Sequence, residues 1–287
     1  MQNTPFSTNK TLNINGRLID LSVPRVMGIL NVTPDSFYDG GWFVAERALL
    51  EQAEKMLEEG ADFLDVGGYS SRPGAAEISE EEEKSRTIKG ISAISKNFPG
   101  TIISADTFRS GVAEAAVEAG ASMINDIAGG NLDINMLTTV ARLQVPYIFM
   151  HMKGSPQTMT RQTGYTNLLK EILDYFHEKL QVLRELGVKD VVIDPGFGFS
   201  KTIEQNFRIA RNLEKFSILG KPVLVGLSRK SMIWKTLGIS PDGALNGTTA
   251  LNMVALLKGA DILRVHDVKE ARELIKLFTS LQVEGSI

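Results

Sequence analysis

Arg264-Val265-His266 sets two hydrogen-bond donors on alternate residues of one predicted strand, hence on one face, where an anion is the natural partner. Other polar side chains recur at the same kind of place, at the end of a short apolar run. They are Asn31, Asp106, Asn125 with Asp126, Asp194 in Asp194-Pro195-Gly196-Phe197-Gly198-Phe199, and Lys230 in Ser228-Arg229-Lys230. Longer polar tips carry Asp35 in Thr33-Pro34-Asp35-Ser36-Phe37, and Ser71 and Arg72 in Ser70-Ser71-Arg72-Pro73-Gly74. Brought together, these groups would make a polar cup.

Single members of the set have plainer readings. An acidic residue after a strand is often the N-cap of the next helix, and Asp106 before Thr107 fits that role too. Asp126 faces away from Asn125 in a regular strand, so Asn125 is preferred for ligand contact and Asp126 for structure. His177 belongs to a long predicted helix as a surface or packing residue. His151, between Met150 and Met152, suits packing as well as ligand contact. No His-x-x-x-His or His-x-His pair occurs, so the pattern of a zinc centre is lacking.

The elements that must position these residues follow one theme from Val26 onward: an apolar run, a polar tip, then helical periodicity. The runs are 26–30, 63–66, 101–105, 123–127, 146–150, 191–193, 222–225 and 262–265, eight predicted strands. Val44, Ala48, Leu49, Ala53, Met56 and Leu57 step along one helical face, and Gly60 ends that helix. Strands alternating with helices imply parallel pairing, and runs without polar alternation imply cover on both faces. The expected fold is α/β, a (β/α)₈ TIM barrel, whose active sites lie at the C-terminal ends of the strands. The doubly wound alternative has no G-x-G-x-x-G loop after its first strand. Leu12, Ile14, Leu18 and Leu21 flank Asn15-Gly16, the dipeptide of a tight hairpin turn. The domain reading is an extension with a hairpin over 1–25 and a single barrel domain over 26–287.

Bulk properties narrow the classes. Of 287 residues, 43% are hydrophobic and 23% charged, the composition of a globular chain with a sizeable core. Lys+Arg 31 against Asp+Glu 34 gives a net charge of -3 without a long basic run, so no nucleic acid and no membrane surface is expected as partner. The absence of cysteine removes thiolate chemistry and disulfides and fits a reducing compartment. With no signal-like start and no apolar stretch of about 18 residues, the expected setting is cytoplasmic.

The run Met27-Gly28-Ile29-Leu30-Asn31-Val32-Thr33-Pro34-Asp35-Ser36-Phe37 with Asp39-Gly40-Gly41 resembles the signature of the dihydropteroate synthases. Ser71-Arg72-Pro73-Gly74, His151-Met152-Lys153-Gly154, Asp194-Pro195-Gly196-Phe197-Gly198-Phe199 and Arg264-Val265-His266 resemble that family's other stations, in order and across nearly the whole barrel. The resemblance implies a homodimer acting on two small molecules, a dihydropterin diphosphate accompanied by Mg²⁺ and p-aminobenzoate. Asn31 matches the metal-contacting position. Asp106, Asn125, Asp194 and Lys230 match the pterin pocket, with Met150 as an apolar wall. Carboxylates would accept from the ring's N–H and amino groups, while amide and ammonium donate to its carbonyl and ring nitrogen. Arg264 and His266 would join Asn31 at the diphosphate, and Ser71, Pro73, Phe199 and Lys230 would receive p-aminobenzoate. Tyr69 stands where the family usually has Glu, and Ser71 where it often has Thr.

The implied reaction transfers a pterin-methyl group from diphosphate to an arylamine. An SN1-like path suits a weak nucleophile and an electron-rich pterin. Asp106 would stabilise the cationic pterin, and loops around Asp35 and Arg72 would exclude water. Two other readings are a methyltransferase using methyltetrahydrofolate, which needs no diphosphate clamp, and a non-catalytic pterin-binding module.

Overall fold

The computed structural model of the chain describes residues 10–32, 41–70 and 77–282, and for 41–43 the backbone alone. Two short strands, β1 (Thr11–Ile14) and β2 (Arg17–Asp20), pair antiparallel around the expected turn. Asn15 (φ 51°) and Gly16 (φ 80°) both take the left-handed conformation that a two-residue hairpin turn requires. Leu12, Ile14, Ile19 and Leu21 are buried against Met27, Phe63, Met123, Ile148, Val192, Leu224 and Ile262, so the hairpin plugs the N-terminal mouth of the barrel.

The barrel strands are β3 (Arg25–Asn31), β4 (Phe63–Gly67), β5 (Ile102–Asp106), β6 (Met123–Asp126), β7 (Tyr147–Met150), β8 (Val191–Asp194), β9 (Leu224–Val225) and β10 (Ile262–Val265). All pair parallel in the order β8-β7-β6-β5-β4-β3-β10-β9, and a bridge between Ile193 and Val223 joins the two edges. β9 is shorter than its apolar run. Pro222 instead offers its carbonyl to the Ile193 amide at 3.0 Å.

Helices α1 (Gly41–Glu58), α2 (Glu80–Asn97), α3 (Ser110–Glu118), α4 (Met136–Leu143), α5 (Leu168–Glu185) and α6 (Ile203–Arg211) follow successive strands. Two helices, α7 (Ser231–Leu237) and α8 (Leu245–Leu257), separate β9 from β10, and α9 (Val268–Gln282) closes the series. Ala45, Leu49, Ala53 and Met56 of α1 are buried as the periodicity requires, but Val44 is 60% exposed and lies off that face. Gly60 (φ 97°) ends this helix, with the Ala61 amide donating back to the Met56 carbonyl. The helices bury their apolar stripes on the outward-facing strand residues, so the inward residues at the strands' C-terminal ends are left to line the cup.

Candidate active site

Inside the cup, Arg264 on β10 reaches two carboxylates. Its Nε donates to Asp65 Oδ2 at 2.6 Å, and its Nη2 donates to Asp106 Oδ2 at 2.7 Å. Asn125 Nδ2 donates to the same Asp65 oxygen at 2.9 Å. Gly67, two residues beyond Asp65 on β4, makes room for this cluster, since a Cβ there would come within 3.3 Å of Asp106 Cβ. Asp106 does not cap the following helix. The residue at the N-cap of α3 is Arg109.

A carboxylate only accepts, so the amide nitrogen of Asn125 must be the atom facing Asp65, and it keeps a second N–H beside the carbonyl oxygen. Asp126 takes the structural role expected of it. It accepts from the amides of Ala128 and Gly130, both at 2.7 Å, and from the Tyr147 hydroxyl at 2.6 Å.

On β8, Asp194 Oδ1 accepts from the Gly196 amide at 2.8 Å. The turn that follows requires glycine. Gly196 has φ 76°, and a Cβ on it would lie 2.2 Å from the His151 carbonyl oxygen. Gly198 (φ 80°) likewise leaves room for the Lys230 side chain. Lys230 donates to the Phe197 carbonyl, and its ammonium lies 4.5 Å from the centre of the Phe199 ring. Phe199 packs on an apolar patch of Ile127, Ala128, Met150, Met152 and Met159.

β10 ends at Val265, so His266 lies just past the strand rather than beside Arg264 on it. Its backbone amide donates to Ser228 Oγ at 3.2 Å, and its Nδ1 lies 3.0 Å from the same oxygen. Asn31 ends β3 with its side chain exposed. His177 is exposed on α5 beside Gln181. Asp35, Ser71, Arg72, Phe37 and Pro73 lie outside the described residues.

Carboxylates and cations share the cup, and burial acts on both. It pulls Asp106 up to about 7; the Arg264 charge opposes this, and Asp65, Glu83 and Asp126 add to it. Burial also raises Asp194, against the Lys230 charge and the Gly196 amide. Lys230 is drawn down to about 8 by burial, with Asp194 opposing. Burial would lower Arg264 as well, but Asp65 and Asp106 outweigh it and hold the guanidinium firmly charged.

Two groups were missed in the sequence. Asp65 sits fully buried in the run Phe63-Leu64-Asp65-Val66, where a carboxylate within an unbroken apolar strand was itself the available signal. Lys201 carried none. Its buried Nζ bonds the carbonyls of Gly196 and Phe199 at 3.0 Å and of His151 at 3.1 Å, and lies 3.1 Å from His151 Nδ1. His151 is thereby a packing residue, its imidazole pushed down to about 2 by burial and by the Lys201 and Lys153 charges.

Tyr69 closes the rim between two loops. Its hydroxyl accepts from Gln157 Nε2 at 2.5 Å, its ring meets Phe108 edge-on at 5.2 Å, and Arg109 lies over it at 5.6 Å. Arg109 is in turn fixed by buried Glu83 at 2.8 Å.

Residues 27–266 match the family model of the pterin binding enzymes. The dihydropteroate synthase of Haemophilus influenzae is 41% identical over 269 residues, 93% of this chain and 97% of that protein. The Xanthomonas albilineans dihydropteroate synthase structure with 4-aminobenzoic acid is 38% identical, with a TM-score of 0.89 over 97% of this chain and 100% of that one. The structure of the same organism's enzyme in complex with 7,8-dihydropteroate gives 36% identity and a TM-score of 0.85, covering 96% and 100%.

Proposed function

The chain belongs to the dihydropteroate synthases of the pterin-binding enzyme family, and we propose that its cup holds dihydropterin diphosphate with p-aminobenzoate stacked above it at the rim. The activity is that of a transferase: (7,8-dihydropterin-6-yl)methyl diphosphate and p-aminobenzoate give 7,8-dihydropteroate and diphosphate. The carrying observation is the gathering of Asp106, Asn125, Asp194, Lys230 and Arg264 from five different strands or their ends: Asn125 and Arg264 meet on Asp65, Arg264 bonds Asp106, and the charges of Asp194, Lys230 and Arg264 act on one another.

In this reading the carboxylates of Asp106 and Asp194 meet the N–H and amino edge of the pterin, and the remaining N–H of Asn125 and the Lys230 ammonium donate to its ring nitrogen and carbonyl. Met150 and its neighbours cover one ring face. The C–O bond to diphosphate breaks first, and the positive charge left on the pterin-methyl group is stabilised by ionised Asp106. The arylamine nitrogen then forms the new C–N bond and loses a proton. Phe199 and Lys230 form the described part of its seat, with Ser71 and Pro73 as the expected remainder. Arg264 and His266 are proposed to meet the departing diphosphate. Asp35 and Arg72 are proposed to shield the reacting carbon from water.

Among the described residues no group of three His, Cys, Asp or Glu side chains is gathered for a metal. A single exposed carboxamide at the strand end, Asn31, fits a hard cation that arrives largely ligated by the substrate's own phosphates. Asn31 would hold the Mg²⁺, which when bound would neutralise charge on the leaving diphosphate.

A homodimer belongs to the same reading and is supported by apolar side chains exposed on adjoining helices α8 and α9, namely Leu257 (59%), Leu277 (64%) and Leu281 (70%). A cytoplasmic setting is supported by the lack of cysteine. No helix among the described residues is long and apolar enough to cross a membrane. The test of the function is direct: incubation with the pterin diphosphate, Mg²⁺ and p-aminobenzoate yields dihydropteroate, and failure to form it in a folded sample overturns the reading.

A further inference from the structure

We propose that Asp65 is a positioning residue of the pterin pocket, fixing through one carboxylate oxygen both the direction of the Arg264 guanidinium and the orientation of the Asn125 amide. Asp65 lies on β4 with its side chain fully buried. Its Oδ2 takes Arg264 Nε at 2.6 Å and Asn125 Nδ2 at 2.9 Å. Its Oδ1 is sealed from solvent and has no hydrogen-bond partner among the described residues. Ser104, opposite it in register on β5, has a buried Oγ in the same condition. Every described partner of this carboxylate is therefore a pocket residue, and none belongs to the scaffold.

A buried ion pair is weak evidence for stability, because desolvation can cancel the attraction. Here the balance is worse than for a pair, since Asp65 and Asp106 share one guanidinium. Such an arrangement makes sense as orientation. With Nε held by Asp65 and Nη2 by Asp106, the plane of the guanidinium is set at both ends. With Nδ2 held by Asp65, one of the two N–H groups of Asn125 is spent and the amide can no longer turn over, so the places where its other N–H and its carbonyl oxygen stand are fixed. Without the Asp65 charge, Arg264 has only Asp106 to pair with and turns its fork fully onto it, covering an acceptor the pterin needs. Asn125 is then free to flip and exchange its donor and acceptor ends.

The inference takes from the synthase reading only the identity of the ligand. Its test is a double-mutant cycle on binding, followed by calorimetric titration of 6-hydroxymethylpterin into wild type, Asp65→Asn, Arg264→Ala and the double variant, with melting temperature recorded for each. Asp65→Asn is expected to weaken the pterin by roughly ten- to a hundredfold, the worth of a buried charged hydrogen bond, without loss of melting temperature. It should leave the KM for p-aminobenzoate near that of wild type. In the double variant the two losses should fall short of additive, since one residue acts through the other. Additive losses, or equal weakening of both substrates together with a lowered melting temperature, would show a merely structural Asp65 and overturn the proposal. Asp65→Glu, which keeps the charge and displaces the oxygen, gives a second reading if Asp65→Asn does not fold. It should also weaken the pterin, and unchanged affinity would count against positioning. Wild-type product formation is scored separately, so a failed synthase reading and a failed Asp65 cycle are distinct results.

Discussion

Arg264 Nη2 lies 2.7 Å from Asp106 Oδ2, so the guanidinium expected at the diphosphate is the partner of the carboxylate expected beneath the pterin. The pair ties leaving-group binding to cation stabilisation and sets the first prediction. Burial holds Asp106 up at about 7, with Arg264 opposing and Asp65, Glu83 and Asp126 reinforcing the shift; Lys230 also faces it. The ionised form is the one that stabilises a cationic pterin, so kcat/KM for the pterin diphosphate should rise with pH on an acid limb near 7. Removing Arg264 removes the main influence holding the value down. In Arg264→Ala the limb should therefore move to higher pH, and the variant should lose the diphosphate ester more than the free hydroxymethyl pterin. A limb that stays in place while activity falls would show that Asp106 does not govern it.

Asp194 tests the pocket with the loop left intact. Its Oδ1 accepts from the Gly196 amide at 2.8 Å, an interaction that asparagine can keep through its carbonyl oxygen. Asp194→Asn thus retains the turn while placing a donor where an acceptor stood. Pterin use should fall by about one to two decades, the equivalent of roughly 1.5–3 kcal/mol, with melting temperature nearly unchanged. Steady-state kinetics and a thermal melt decide it. Normal kinetics would remove Asp194 from the pocket.

The barrel was legible because parallel strands covered on both faces must be apolar, and eight such runs recur between amphipathic stretches. Strand-end polar residues were legible in part: alternation along a strand separates Asn125 from Asp126, whereas for Asp106 an N-cap role fitted as well. Pairing was not legible. Nothing local says that Arg264 spends two donors on Asp65 and Asp106, which are 199 and 158 residues away in sequence. Nor could periodicity show that β10 stops at Val265, leaving His266 to Ser228 across the barrel rim. Lys201 was hidden more deeply, since its partners are backbone carbonyls, which every residue has.

Asn31 carries the metal prediction. If it supplies one oxygen to a diphosphate-bound Mg²⁺, then Asn31→Ala should raise the Mg²⁺ concentration needed for half-maximal turnover by about tenfold, the lower range for loss of a metal-site contact. Calorimetry with the unphosphorylated pterin should be unchanged, because that ligand brings no metal. An unaltered Mg²⁺ dependence would detach Asn31 from the metal.

Lys201 supports the last prediction, about the loop rather than the pocket. Its ammonium ties the Gly196 and Phe199 carbonyls after β8 to the His151 carbonyl after β7, and so sets where Phe199 stands. Lys201→Met fills the space and deletes the donors, leaving those carbonyls short of partners. The cost should be about 1–3 kcal/mol, as for buried polar groups left unsatisfied. Urea denaturation should show it as a lowered midpoint. Because Phe199 loses its anchor, the KM for p-aminobenzoate should rise more than that for the pterin diphosphate. The pH dependence supplies a further sign. Burial draws the folded-state lysine down to about 7, against the Asp194 charge. Between that value and about 10.4 the unfolded chain binds a proton that the folded one does not, so this group makes stability rise with pH across the window. Relative to wild type, Lys201→Met should lack that rise. Equal slopes in both proteins would mean that Lys201 is charged when folded. An unchanged midpoint would show that its four contacts hold nothing in place.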